Sequence, residues 1–288
     1  MRDILAETKY LCRKYNLSPS RSKGQNFLID ESVLEEIILT AELKSEDLIL
    51  EIGSGLGILT GELIKKVKKV IAIESDERLF EILKKIQQAS TKLILKHQDI
   101  LKADKNKLMT ELGAKLVDKE IYNYKIVANI PYNISSLLLR SFLNEAPKPK
   151  KLVLLLQKEL AERLTAPPGK MSLLSIAGQF YADVKIVKEV PAESFWPQPE
   201  VDSAIVRLKT FDPGKKYDLP AGFSEKKFWR LVKVGFSARR KMLKNNLQNG
   251  FEASDQWATD CLEAAGLKKE ARAQQLSIPD WLKLYKRV

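Results

Sequence analysis

Between Asp47 and Gln157 the sequence alternates short apolar runs with amphipathic stretches, a pattern that few architectures satisfy. The runs are Leu48–Ile52, Val70–Ile73, Leu93–Leu95, Ile126–Ala128 and Leu152–Leu156. Parallel strands buried on both faces read as near-continuous apolar runs, and the helices that cross between them supply the amphipathic spacers. Glu77–Gln87 is one such spacer, with Leu79, Phe80, Ile82, Leu83 and Ile86 on a helical period. The pattern predicts a doubly wound α/β fold, with a mostly parallel sheet covered on both faces. Two later runs, Val184–Val190 and Ala204–Leu208, flank a Pro-rich segment and are expected to pair antiparallel as the sheet edge.

After Lys209 the texture changes. Phe211-Asp212-Pro213-Gly214 reads as a linker, and helical stretches follow at Ser224–Ser237, Arg240–Leu247, Ser254–Ala265 and Pro279–Tyr285. Two domains are expected: residues 1–211, and a small basic helical domain at 212–288. The formal net charge is +12, of which the last 77 residues, with 16 basic and 9 acidic side chains, hold +7. Near the start, Lys9, Arg13, Lys14, Arg21 and Lys23 fall in a stretch with no acid between Tyr10 and Ile29. Such clusters suit a polyphosphate partner, although ordinary solubilising charge has the same composition. Two distant cysteines, Cys12 and Cys261, argue against a disulfide framework, and a single His97 argues against a metal centre, so no metal is expected. The start lacks an apolar signal region and Leu152–Leu156 is too short to span a bilayer. A cytoplasmic protein without membrane attachment is expected.

The first strand runs directly into Glu51-Ile52-Gly53-Ser54-Gly55-Leu56-Gly57 and then helical Leu59–Lys66. Glycines here let the chain turn tightly against a ligand, and the helix start offers free N–H groups. The spacing is Gly-x-Gly-x-Gly, which disfavours a nicotinamide-dependent oxidoreductase of the Gly-x-Gly-x-x-Gly type. Glu74 closes the second strand, where a carboxylate can accept hydrogen bonds from both ribose hydroxyls, and Asp99 closes the third, where it can accept from an adenine amino group. A ligand-free turn uses the same glycines, but three such features at consecutive strand ends describe a nucleoside-sized cleft.

The fourth strand leads into Asn129-Ile130-Pro131-Tyr132, which resembles the Asn/Asp-Pro-Pro-Tyr motif of class I (Rossmann-like) amino-methyltransferases. The lone pair of an adenine amino group is delocalised into the ring. Two acceptors aimed at its hydrogens, the Asn129 side-chain oxygen and the Ile130 carbonyl, would draw the nitrogen toward tetrahedral geometry and stabilise the charge developing on it. Pro131 would stiffen the loop and Tyr132 would stack on the base.

Over nearly the whole chain the sequence resembles the rRNA adenine dimethyltransferases, the KsgA (RsmA)/Erm family. Gly24-Gln25-Asn26-Phe27-Leu28 matches the motif in which, by the resemblance, Asn26 and Leu28 contact the cofactor. Gly53, Gly55, Glu74, Asp99 and Asn129 match its other cofactor positions, and the cofactor implied is S-adenosyl-L-methionine. Phe195-Trp196-Pro197-Gln198-Pro199-Glu200-Val201-Asp202-Ser203 matches a loop that closes over the target base, with Phe195 stacking opposite Tyr132. The segment from Phe236 to Leu247 resembles the KsgA-branch Phe-x-x-Arg-Arg-Lys-x-Leu-x-Asn-x-Leu, and Arg272–Ser277 its Arg-Ala-Glu-x-Leu-Ser, with Gln274 in place of the acid. Arg239, Arg240, Lys241 and Lys244 would contact RNA phosphates. The KsgA branch usually carries Asn-Leu-Pro-Tyr, whereas Asn-Ile-Pro-Tyr is common in Erm enzymes. Residue 130 would act through its backbone, so the chemistry survives the exchange. The resemblance implies a monomeric enzyme that dimethylates two adjacent adenosines in a hairpin near the 3′ end of small-subunit rRNA, within an assembling ribosomal subunit. An Erm-type large-subunit enzyme conferring antibiotic resistance and a non-catalytic assembly factor are the alternatives.

Overall fold

A computed structural model describes residues 2–20 and 24–288. Arg21 and Lys23, part of the basic stretch near the start, lie outside the described residues. The chain divides into two compact units, Met1–Ala161 with Ala182–Thr210, and Glu162–Tyr181 with Phe211–Val288.

In the first unit the elements run α1 (Ile4–Lys14), β1 (Phe27–Leu28), α2 (Glu31–Ala41), β2 (Leu48–Ile52), α3 (Ile58–Lys66), β3 (Lys69–Glu74), α4 (Glu77–Gln88), β4 (Leu93–His97), α5 (Lys105–Leu112), β5 (Leu116–Asp118), β6 (Ile121–Asn129), α6 (Ser135–Asn144) and β7 (Lys148–Gln157). After α7 (Lys158–Thr165) and α8 (Leu173–Tyr181) the unit resumes with β8 (Ala182–Val190), β9 (Phe195–Trp196) and β10 (Ser203–Thr210). The main sheet has the order β4-β3-β2-β6-β7-β10-β8, with β5 paired on β6. From β4 to β7 the pairs are parallel. β2 and β3 are buried on both faces, which is why their sequences are apolar apart from Glu51 in β2 and Lys69 and Glu74 at the ends of β3. The doubly wound α/β expectation therefore holds. β10 runs antiparallel between β7 and β8 and leaves β8 at the edge, and the short β5 also pairs antiparallel, on β6. Asp30 caps α2 and Asp76 caps α4, each accepting backbone N–H bonds of the first turn. Beside the amino-terminal end of β2, the buried Lys125 ammonium binds Asp47 and the carbonyls of Ala41 and Glu42. No helix among the described residues is long and apolar enough to cross a membrane.

The second unit continues with α9 (Pro213–Lys216), α10 (Glu225–Gly235), α11 (Leu243–Phe251), α12 (Asp255–Ala264) and α13 (Ile278–Tyr285). It takes in residues 162–181, which lie before the boundary expected at 211/212. The reason is aromatic packing: Phe180 stacks on Phe228 at 4.8 Å and Tyr181 on Trp229 at 6.0 Å. The Tyr181 hydroxyl also bonds Glu225.

Candidate active site

A cavity of about 320 Å³ opens where β2, β3, β4 and β6 end, and its whole wall comes from the first unit. The glycine turn after β2 forms its floor. Gly53 has φ +72°, and a Cβ there would stand 2.9 Å from the Pro131 side chain. Only glycine lets this turn close on the Asn129–Tyr132 segment.

Glu74, at the end of β3, is 6% exposed. Its Oε2 accepts from the Gly55 N–H at 2.9 Å, and its Oε1 from the N–H groups of Ser75 and Asp76 at 2.8 Å each. Burial pushes this carboxyl up, against the pull of those three bonds. Carboxylate oxygens have further acceptor capacity, so one group can both fix the turn and receive ribose hydroxyls. Asp99 is exposed at the cavity rim and caps the 3-10 turn Ile100–Lys102 through Leu101 N–H.

Asn129 ends β6. Its Nδ2 donates to the Asn26 carbonyl at 3.4 Å, so the donor end of the amide is committed and the oxygen is left for an incoming donor. The Ile130 side chain is buried and its N–H donates to Leu155 O. Tyr132 is half-buried on the cavity wall, its hydroxyl 2.8 Å from Ser203 Oγ, and burial pushes its phenol up. Asn26, Leu28, Gly53, Gly55, Glu74, Asp99, Asn129, Ile130, Pro131 and Tyr132 thus all line one cavity.

Phe195 does not join them. It is 2% exposed and pairs with Leu28 across the two-stranded β1–β9 ladder, in the hydrophobic core. A buried aromatic in a Pro-rich loop is the common packing solution, and here it supports the cofactor strand from behind. The basic C-terminal segment also differs from expectation. Arg239, Arg240 and Lys241 are exposed, but they occupy the turn between α10 and α11, not a helix. Lys244, the second residue of α11, is engaged by Asp255 at 2.9 and 3.2 Å. Arg272–Ser277 is scaffolding: the Gln274 carbonyl accepts from the N–H groups of Gly169 and Met171.

Sequence reasoning gave no role to Glu51, Gln25 or Ser203. Glu51 is buried on the cavity floor, accepts from Thr60 Oγ1 at 2.6 Å, and burial pushes its carboxyl up to about 8. Gln25 Nε2 donates to Asp76 at 3.0 Å; its position inside Gly24–Leu28 was the available signal. Ser203 begins β10 and closes the Phe195–Ser203 motif, which was the available signal.

Comparison with known proteins agrees with this geometry. The pattern of the ribosomal RNA adenine dimethylase family matches residues 17–288. A Ribosomal RNA small subunit methyltransferase A of Dehalococcoides mccartyi is 38% identical over 96% of this chain and 91% of its own. The protein of that name in Ligilactobacillus salivarius is 39% identical over 96% and 92%. Among solved structures, a dimethyladenosine transferase from Plasmodium falciparum aligns with TM-score 0.71 and 29% identity over 90% of this chain and 95% of its own. The 23S rRNA methyltransferase ErmE aligns with TM-score 0.67 and 26% identity over 91% and 99%.

Proposed function

The chain belongs to the ribosomal RNA adenine dimethylase family, and from that premise we propose that it dimethylates the 6-amino groups of two adjacent adenosines in a hairpin near the 3′ end of small-subunit rRNA. The donor is S-adenosyl-L-methionine, whose sulfonium supplies an electrophilic methyl group. The donor set of the cavity fits it: a carboxylate on β3 for the ribose, a second at the rim for the adenine, and a glycine floor. Glu74 and Asp99 fill those two roles, and Asn26, Leu28, Gly53 and Gly55 shape the rest of the pocket.

Asn129 and Ile130 act on the target. The Asn129 carboxamide oxygen and the Ile130 carbonyl accept the two amine hydrogens, localising the lone pair and stabilising positive charge as the methyl moves. Pro131 fixes the loop and Tyr132 stacks on the base, while Phe195 backs the pocket wall. Transfer is direct, so positioning carries much of the rate. The observation behind this reading is the close packing of Gly53 on Pro131, where an added Cβ would stand 2.9 Å from the proline ring, which brings the cofactor floor and the amine motif into one cavity.

Exposed Arg239, Arg240 and Lys241 serve as phosphate contacts, and the partner is an assembling small ribosomal subunit met by a monomeric, cytoplasmic enzyme. The small-subunit assignment is supported by the named relatives at 38 and 39% identity, against 26% for ErmE. Unmodified small and large subunits, offered separately with cofactor, test it. Dimethyladenosine in the small-subunit RNA, mapped by reverse-transcription stops, is expected. Stops confined to large-subunit RNA would overturn the assignment.

A further inference from the structure

Residues 191–203 link two parts of the cavity that come from distant stretches of chain. At one end Ser194, 4% exposed, donates from Oγ to Asp30 at 3.0 Å, and its carbonyl accepts from Ile29 N–H at 2.9 Å. Between these bonds and the cavity lies the β1–β9 ladder, Phe27 opposite Trp196 and Leu28 opposite Phe195. Asn26, just before β1, is the residue whose carbonyl holds the Asn129 amide. At the other end Ser203, fully buried, holds the Tyr132 hydroxyl at 2.8 Å. The loop is itself stiffened where Asp202 Oδ1 accepts from Ala192 N–H at 3.1 Å.

We propose that this loop is a two-ended tether, with Ser203 as the positioning residue for Tyr132 and Ser194 as the positioning residue for the cofactor strand. The tether sets the ring that receives the base in register with the strand that bounds the cofactor. This rests on the methyltransferase reading of the same cavity. The half-buried Tyr132 ring lies in the turn between β6 and α6, and the contact of its hydroxyl with Ser203 fixes the outer edge of the ring.

The test uses the full chain, unmodified small subunits and S-adenosylmethionine, reading single-turnover transfer and cofactor Kd separately. Ser203→Ala and Tyr132→Phe delete the same bond from opposite sides. Each should slow transfer about ten-fold with cofactor Kd within about two-fold, and the double variant should be no slower than either, the mark of one shared interaction. Ser194→Ala should do the reverse, weakening cofactor binding about five-fold while sparing transfer at saturating cofactor. Additive losses in the double variant, or wild-type transfer by Ser203→Ala, overturn the proposal. Should Ser203→Ala fail to fold, Tyr132→Phe decides, because it removes only an oxygen, and wild-type transfer from it is equally fatal. A wild-type chain that methylates no subunit defeats the functional reading instead. The cofactor Kd of Ser194→Ala then still tests the strand tether, and an unchanged Kd overturns it.

Discussion

At Glu51 the fold holds a carboxyl group where water does not reach it. Desolvation pushes the group from its ordinary value near 4.5 to about 8, with the Thr60 hydroxyl pulling the other way. The folded chain therefore keeps a proton that the unfolded chain releases above pH 4.5, and stability from this group falls as pH rises from 4.5 to about 8. The slope is about 1.4 kcal/mol per pH unit inside that window, and flat above it. Glu51→Gln imitates the protonated acid and still accepts from Thr60, so its urea-unfolding free energy should lack this slope and exceed that of the wild type at pH 8. Equal slopes for the two proteins between pH 5.5 and 8 would show that Glu51 is ionised in the fold. The sequence displays Glu51 as the first letter of a glycine motif, but burial is a tertiary property and so the shift is not legible there. The placing of Glu74 and Asn129 on the cavity was legible because each ends a strand, and that of Asp99 because it lies two residues past the end of β4; strand ends can be read from where apolar runs stop. Phe195 was misread for the opposite reason: its motif fixes the residue but not the face to which the ring turns.

Between α10 and α11 the basic turn is held from inside by one side chain. Asn246, 2% exposed, donates from Nδ2 to the carbonyls of Gly235 at 2.6 Å and Ala238 at 3.2 Å. The Gly235 carbonyl ends α10 without a helical partner, and the Ala238 carbonyl in the turn also accepts from the Lys241 N–H. Asn246→Ala should cost about 1–3 kcal/mol in unfolding free energy and speed amide exchange across residues 237–242. Unchanged exchange there would mean the turn keeps its form without the amide. The expected helix Arg240–Leu247 failed at this place, since α11 begins only at Leu243, whose N–H is taken by the Ala271 carbonyl. Charged residues before an apolar period look helical until a distant carbonyl claims the backbone. The central strands β2, β3 and β7 were more legible, because burial on both faces leaves a nearly continuous apolar signature. The two-residue ladder β1–β9 and the short β5 leave none.

Charge at the scale of the whole chain is what a polyanionic partner meets first. The second unit carries 18 basic and 10 acidic side chains, so its field attracts RNA before any contact forms. Its membership was only partly legible: the linker at Phe211–Gly214 marks one boundary, but residues 162–181 join through Phe180 and Tyr181, a long-range aromatic match with no local sign. Within this unit the cations are not equivalent. Arg239, Arg240 and Lys241 are exposed on the turn, whereas the Lys244 ammonium is spent on Asp255. Counterion release ties each phosphate contact to the salt dependence of binding, at about 0.7–0.9 in the slope of log affinity against log salt. Replacing Arg239, Arg240 and Lys241 together with Gln should therefore weaken small-subunit binding and flatten that slope by about 2 to 2.7 if all three touch phosphate. Lys244→Gln should leave the slope nearly unchanged, and neither variant should alter cofactor Kd, because the cavity wall belongs entirely to the first unit. Filter binding of unmodified small subunits from 50 to 300 mM salt, at about constant pH, reads the slopes directly. A triple variant with the wild-type slope would remove this turn from the RNA interface, whereas a flattened slope for Lys244→Gln would show that RNA displaces Asp255.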